Sequence, residues 1–278
     1  MATKYRPEKA SLSGVSVKLD RAHEHLEALD SELSTFFEAN PYRTLAKLNP
    51  HTGEYVMRLR VRKEPTPRWG AIVGDFIHNA RSALDHVAWK LVEHGPHGLP
   101  SDEETRRQIS YPVAFRDTQF RGSVTVQRVG QGARDVMEQI QPYKRADRPE
   151  IHPLAVLNEL WNFDKHRFLH PHWVKSADET PELTLEGPAS LPGLWADWAV
   201  GTVLEDGAEV LKFRIPPLRI GTYDAAWGVH IWQEPSVKMQ GKLPVDVAFG
   251  KPWLQTTQLG QLDWFVRVLV ERLEPFLP

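Results

Sequence analysis

Asp75, Asn79, Ser82 and His86 stand at i, i+4, i+7 and i+11. At about 100° per residue they form one polar ridge on a helix, with Arg81 on the opposite shoulder of the apolar face. Small hydrogen-bonding side chains in this order predict a ridge that faces a neighbouring element, although a solvated helix face has the same composition. In the segment that follows Pro153, Leu157, Leu160, Trp161 and Phe168 define a buried stripe, and Asp164 takes a slot that periodicity assigns to an apolar residue. Burial of a carboxylate is costly unless it is paired, so Asp164 is expected to meet a cation, with Arg81, His86, Lys165, His166 and Arg167 as the available partners. Such a grouping serves either a catalytic centre or a structural salt bridge between two helices. Lys165, His166 and Arg167 also complement the dipole of a helix C-terminus. A third chemistry is metal binding: His166 and His170 are spaced i, i+4, and His78, Asp75 or His86 could complete a nitrogen–oxygen site.

The elements that must position these groups follow from periodicity. Leu12, Val15, Leu19, Ala22, Leu26, Leu29, Leu33 and Phe36 predict a helix over about 11–39, stopped by Asn40-Pro41. Alternation of Tyr55, Met57, Leu59 and Val61 with Val56, Arg58, Arg60 and Arg62, after the turn residues Asn49-Pro50-His51-Thr52-Gly53, predicts a hairpin over 42–63 with one basic face. Trp69, Ile72, Val73, Phe76, Ala80, Ala83, Leu84, Val87 and Leu91 predict a second helix over about 68–94, closed by Gly95-Pro96. A loop with an extended piece from Tyr111 to Phe115 leads to a helix near 131–141. A fourth helix is expected from Pro153 to a point short of Pro171.

From about 180 to 256 short alternating runs predict a small antiparallel sheet, with a turn at Glu205-Asp206-Gly207 and with Trp195, Trp198, Trp227, Trp232 and Trp253 as its core. Leu259, Leu262, Phe265, Val266, Leu269 and Leu273 then form a last amphipathic helix. The expected fold is therefore α+β. A helical bundle occupies 1–180 and carries the β-hairpin, a β-unit occupies 181–256, and a C-terminal helix over 257–278 packs back on the bundle.

Composition narrows the function. The 278 residues are 41% hydrophobic and 25% charged, ordinary globular usage. A formal charge of −2 excludes a histone-like binder, so any nucleic-acid contact must rest on a local patch such as Arg58, Arg60, Arg62 and Lys63. The absence of cysteine excludes disulfides, thiolate metal sites and a cysteine nucleophile. The start, MATKYRPEKASLSG, has no apolar signal core, and no run of roughly 18 apolar residues occurs. A cytoplasmic chain without membrane insertion is expected. Phosphate-binding loops, dinucleotide fingerprints and nucleophile elbows are missing.

The segment Gly74-Asp75-Phe76-Ile77-His78-Asn79-Ala80-Arg81-Ser82-Ala83-Leu84-Asp85-His86, with Gln141-Pro142-Tyr143, Leu157-Asn158 and Asp164-Lys165-His166-Arg167, resembles a set of bacterial and phage-associated proteins that carries no assigned activity. More distantly, Arg81 to His86 is similar to the Arg-x4-His signature of HEPN domains, helical modules that often dimerise and cleave RNA without metal. That resemblance implies an RNA-binding or RNA-cleaving protein in bacterial or phage conflict, working as a homodimer with no cofactor. Arg81 would hold the scissile phosphate and His86 would serve as general acid or base. Asp75, Asn79, Ser82 and Asp164 to Arg167 would form the supporting shell. Ser82 departs from the Asn, Asp or His that usually follows the arginine. Two other readings stay open: a non-catalytic scaffold or ligand-binding module with these residues as a buried network, and a metal-binding bundle similar to the DinB type, using His78, His166 and His170.

Overall fold

Every member of the first apolar stripe is buried, and all but Leu12, which immediately precedes it, lie along one long helix, α1 (Ser13–Glu38). The chain is seen here in a computed structural model that describes residues 12–49, 54–145, 147–175, 182–186, 195–197, 203–214, 220–224, 229–233, 238–242, 245–250 and 254–277. Helix α1 ends where Asn40 enters the left-handed region at φ 51° and Pro41 follows. Strands β1 (Tyr42–Asn49) and β2 (Glu54–Val61) then pair antiparallel, Tyr42 opposite Val61 and Asn49 opposite Glu54. The expected turn residues 50–53 lie outside the described residues.

Helix α2 (Arg68–Glu93) starts directly after Pro67 and buries residues around most of its circumference, from Trp69 to Val92. Its end requires Gly95, because a Cβ there would run into the carbonyl oxygens of Arg128 and Leu91. The expected loop that follows contains three short helices, α3 (Glu103–Arg106), α4 (Asp117–Gly122) and α5 (Val124–Arg128), each too brief to show a period in sequence. Helices α6 (Gln131–Gln139) and α7 (Pro153–His166) come next, and α8 (Thr256–Leu273) closes the chain. Helix α8 packs against α2, α6 and α7. Asp263 on α8 accepts from Arg267 Nε at 3.1 Å and lies 3.1 Å from His23 Nδ1 on α1.

Helix α7 is shorter than expected. Arg167 is extended (φ −149°, ψ 153°), so the helix stops at His166 rather than near Pro171. The residue before a proline avoids the helical region, and Leu169 drops into the core where Gly70 offers no side chain to block it. Phe168, expected in the buried stripe, is left 40% exposed.

The remaining strands among the described residues are β3 (Pro171–Lys175), β4 (Glu182–Glu186), β5 (Trp195–Asp197), β6 (Glu209–Arg214), β7 (Ile220–Asp224), β8 (Val229–Gln233), β9 (Lys238–Lys242), β10 (Val245–Phe249) and β11 (Leu254–Gln255). Strand β2 pairs on its second edge with β6, giving a sheet in the order β1-β2-β6-β5. The hairpin therefore belongs with the β-unit and not with the helical bundle. Its amphipathic strand leaves one edge of backbone donors and acceptors open, and β6 fills it. Strands β4 and β9, and β7 and β8, form antiparallel pairs. The Glu205-Asp206-Gly207 turn exists, with Gly207 at φ 86°. Trp198, Trp227 and Trp253, and the side chains of Trp195 and Trp232, fall outside the described residues.

The chain is α+β and divides into two units: a helical one of Met1–Ser34, Thr66–Pro171 and Phe249–Pro278, and a β-rich one of Thr35–Pro65 and His172–Ala248. Among the described residues no helix is long and apolar enough to cross a membrane.

Candidate functional site

The stretch Ser110–Ala114 runs through the helical unit without joining any sheet, and a chain segment of this kind must find partners for its backbone donors and acceptors. Side chains supply them in sequence. Thr125 on α5 accepts from Ser110 N–H at 3.2 Å and donates to Ser110 O at 2.7 Å. Asp85 Oδ1 accepts from Tyr111 N–H at 2.8 Å, and Arg81 Nη2 donates to Tyr111 O at 2.8 Å. Gln141 accepts from Ala114 N–H at 2.8 Å and donates to Pro112 O at 3.1 Å and to Met137 O at 3.0 Å. The segment behaves as a strand whose ladder partners are side chains. Arg81, Thr125 and Gln141 are all buried for this reason.

Arg81 is thus part of a closed triangle. Its Nη2 lies 3.1 Å from Asp85 Oδ1 one turn along α2, and both groups grip the backbone of Tyr111. The guanidinium carbon sits 5.3 Å from the centroid of the Trp161 ring on α7, and Lys165 Nζ lies over the same ring. Arg81 is only 4% exposed. Burial lowers its pKa and raises that of Asp85, so for both partners desolvation outweighs their mutual attraction. The Arg81 Nε and Nη1 atoms and the Tyr111 hydroxyl are buried without a hydrogen-bond partner. Burial also pushes the Tyr111 phenol well above its ordinary range.

Asp164 sits elsewhere. Its carboxyl group covers Gly74 of α2 so closely that a Cβ at that position would lie 2.7 Å from Oδ1. Burial, and then the like charge of Asp75, raise its pKa, while His78 opposes them. The expected cations are not its partners: Arg81 is engaged by Asp85 and Tyr111, and His86 lies further along α2. Space above the glycine accommodates the acid, and His78 is the group whose charge favours its ionised form.

The predicted ridge is mostly solvent-facing. Asp75 and His86 are exposed and Ser82 is half-buried. Asn79 hydrogen-bonds to another helix, accepting from Lys18 Nζ on α1 at 3.2 Å while donating to Asp75 O at 2.8 Å. His86 instead lines a cleft of about 590 Å³ with Ser13, Gly14 and Val15 of α1, Asp85, Trp89 and Lys90 of α2, and Ile109. Arg81 does not line this cleft. Asp85 separates the two, with Oδ1 occupied on the Arg81 side.

Lys165, His166, Arg167 and His170 are exposed around the end of α7. Arg167 lies 5.8 Å from the Phe163 centroid, and the rings of Phe168 and His170 meet edge to face at 4.9 Å. Because the helix stops at His166, the i, i+4 geometry expected for His166 and His170 is absent. Among the described residues no group of three or more His, Cys, Asp or Glu side chains is gathered to hold a metal ion, which corrects the expected grouping of His78, His166 and His170. On the hairpin of the β-rich unit, Arg58 pairs with Glu209 at 2.6 Å and Arg60 with Asp206 at 3.1 Å, which neutralises the basic strand; Arg62 and Lys63 remain exposed.

The site residues that sequence reasoning left out are Asp85, Tyr111, Thr125 and Gln141. Asp85 stands i+4 from Arg81, a spacing that pairs opposite charges on a helix. For Gln141 and Thr125 the partners are backbone atoms, which leave no residue-type signal. Comparison with protein-family models, with curated proteins and with solved structures finds no match.

Proposed function

We propose that this chain is a non-catalytic RNA-binding module with a HEPN-like helical unit, in which Arg81 is a structural clamp and not a phosphate ligand. The observation that carries the reading is the burial of Arg81 behind Asp85, with its Nη2 spent on Tyr111 O and the Asp85 carboxylate. To meet a phosphate beside His86 the guanidinium would have to leave both, stranding a part-buried carboxylate and a buried carbonyl. His86 remains free to bind, and its cleft falls in the range of roughly 300–1,000 Å³ that takes a small ligand or one residue of a polymer. Trp89 also lines it, as does Lys90, whose ammonium is paired with Glu93 at 2.7 Å. Within this reading the working unit is a homodimer, as the HEPN resemblance implies. The compartment is the cytoplasm, supported by a cysteine-free composition.

The test is to incubate the purified chain with end-labelled single-stranded and hairpin RNAs in a chelator, and to follow length on a gel and binding by anisotropy. Retention of RNA length together with saturable binding is expected. Cleavage that disappears in Arg81→Ala while the variant keeps its fold and melting temperature would overturn the reading.

A further inference from the structure

We infer that the exposed end of α7 is a docking surface for single-stranded RNA, in which Lys165 and Arg167 meet phosphates and Phe168 stacks on a base. The inference rests on the RNA-binding reading above and adds where the strand lies and what form it takes. Several other exposed cations of the helical unit are matched with acids, Arg68 with Glu32 at 2.9 Å, Arg121 with Asp117 at 2.8 Å and Lys144 with Glu138 at 2.8 Å; among the described residues Arg116 and Arg145 are exposed and unpaired too, but lie over no aromatic ring. Among the described residues Lys165 and Arg167 form no ion pair; each lies over an aromatic ring, Trp161 and Phe163. In a chain of net charge −2, a run of unpaired cations is where a polyanion gains most.

Aromatic groups interleave with this charge. The early stop of α7 and the descent of Leu169 over Gly70 turn Phe168 outward, 40% exposed, with His170 braced edge to face against it. His166 is exposed beside them. Cations that track a backbone, together with a ring that accepts the face of any base, are the two requirements for binding a single strand without sequence preference. A duplex keeps its bases stacked and could use only the charges. Lys165 also acts on Asp85, which lines the His86 cleft, so the surface and the cleft lie within electrostatic reach of each other.

The experiment is anisotropy of a labelled uridine 12-mer and of a matching RNA duplex, titrated with the full chain at several salt concentrations. The variants are Phe168→Ala and the double change Lys165→Ala with Arg167→Ala. Phe168→Ala is expected to weaken single-strand binding about tenfold and to leave duplex binding unchanged. The double change is expected to reduce the slope of log affinity against log salt by about 1.4, roughly 0.7 per lost phosphate contact. If the parent binds RNA and neither variant alters affinity, the surface assignment fails while the RNA-binding reading stands. If the parent binds no RNA, that reading fails and this one with it. Duplex affinity equal to that for the single strand, or binding to anionic vesicles or a polyglutamate peptide in place of RNA, would overturn the assignment.

Discussion

Replacement of Arg81 by alanine removes the bond to Tyr111 O, the pair with Asp85 and the contact with the Trp161 ring. It leaves a carboxylate whose side chain is only 26% exposed and a carbonyl without its donor. Loss of one member of a buried pair costs about 3–5 kcal/mol. Asp85 keeps the Tyr111 N–H and some solvent, which places the cost at the lower end, about 3 kcal/mol. For a chain of this size that is a fall of about 6–12 °C in the melting temperature of the helical unit. Asp85→Ala strands Arg81 in turn and is expected to cost a similar amount. Because either change breaks the same triangle, the double variant is expected to lose less than the two single losses together, with a coupling of about 2 kcal/mol. Urea unfolding followed by circular dichroism, with thermal melts as a check, measures all corners of this cycle. Single variants within about 0.5 kcal/mol of the parent, or strictly additive losses, would refute the argument that Arg81 is structural.

Gln141→Ala deletes three hydrogen bonds and is expected to cost about 3 kcal/mol at roughly 1 kcal/mol per bond, measured by the same unfolding curves. Gly74→Ala is expected to destabilise despite the roughly 1 kcal/mol by which alanine favours a helix over glycine, because its Cβ meets Asp164; in an Asp164→Ala background the same change should stabilise. Asp164 has its pKa raised by burial, so between its unfolded and folded values the folded chain holds the extra proton and stability falls as pH rises through that window. Asp164→Asn should therefore melt higher than the parent near neutral pH and lose that advantage in acid, below the ordinary carboxylate range. Melts from about pH 3 to about pH 7 read this, and an advantage that grows toward acid would contradict it.

The long helices were legible because their apolar stripes carry their own period: α1 and α2 fall within about two residues of the sequence-based expectation. The hairpin was legible as two paired strands but not in allegiance, since alternation along β2 says nothing about which strand takes its second edge. The end of α7 was misjudged because the pull of Pro171 acts together with a tertiary event, the seating of Leu169 on Gly70. Asp164 stands out in the sequence as an acid in an apolar slot, and the structure leaves it half-buried. Its carboxyl lies over Gly74, and a missing side chain leaves no periodic trace. The motif from Gly74 to His86, with the distant Gln141-Pro142-Tyr143, now has a physical reason to occur together. Gly74 makes room for Asp164, while Arg81, Asp85 and Gln141 hold the backbone of one segment.

Hydrogen exchange at the Tyr111 amide tests the clamp most directly, because it donates to a side chain whose partner is Arg81. In the folded parent this amide should exchange slowly. It should exchange far faster in Asp85→Ala and in Arg81→Ala, with His86→Ala indistinguishable from the parent. An amide that stays equally protected in all three variants would show that Arg81 and Asp85 do not hold this segment, and would return Arg81 to the catalytic reading.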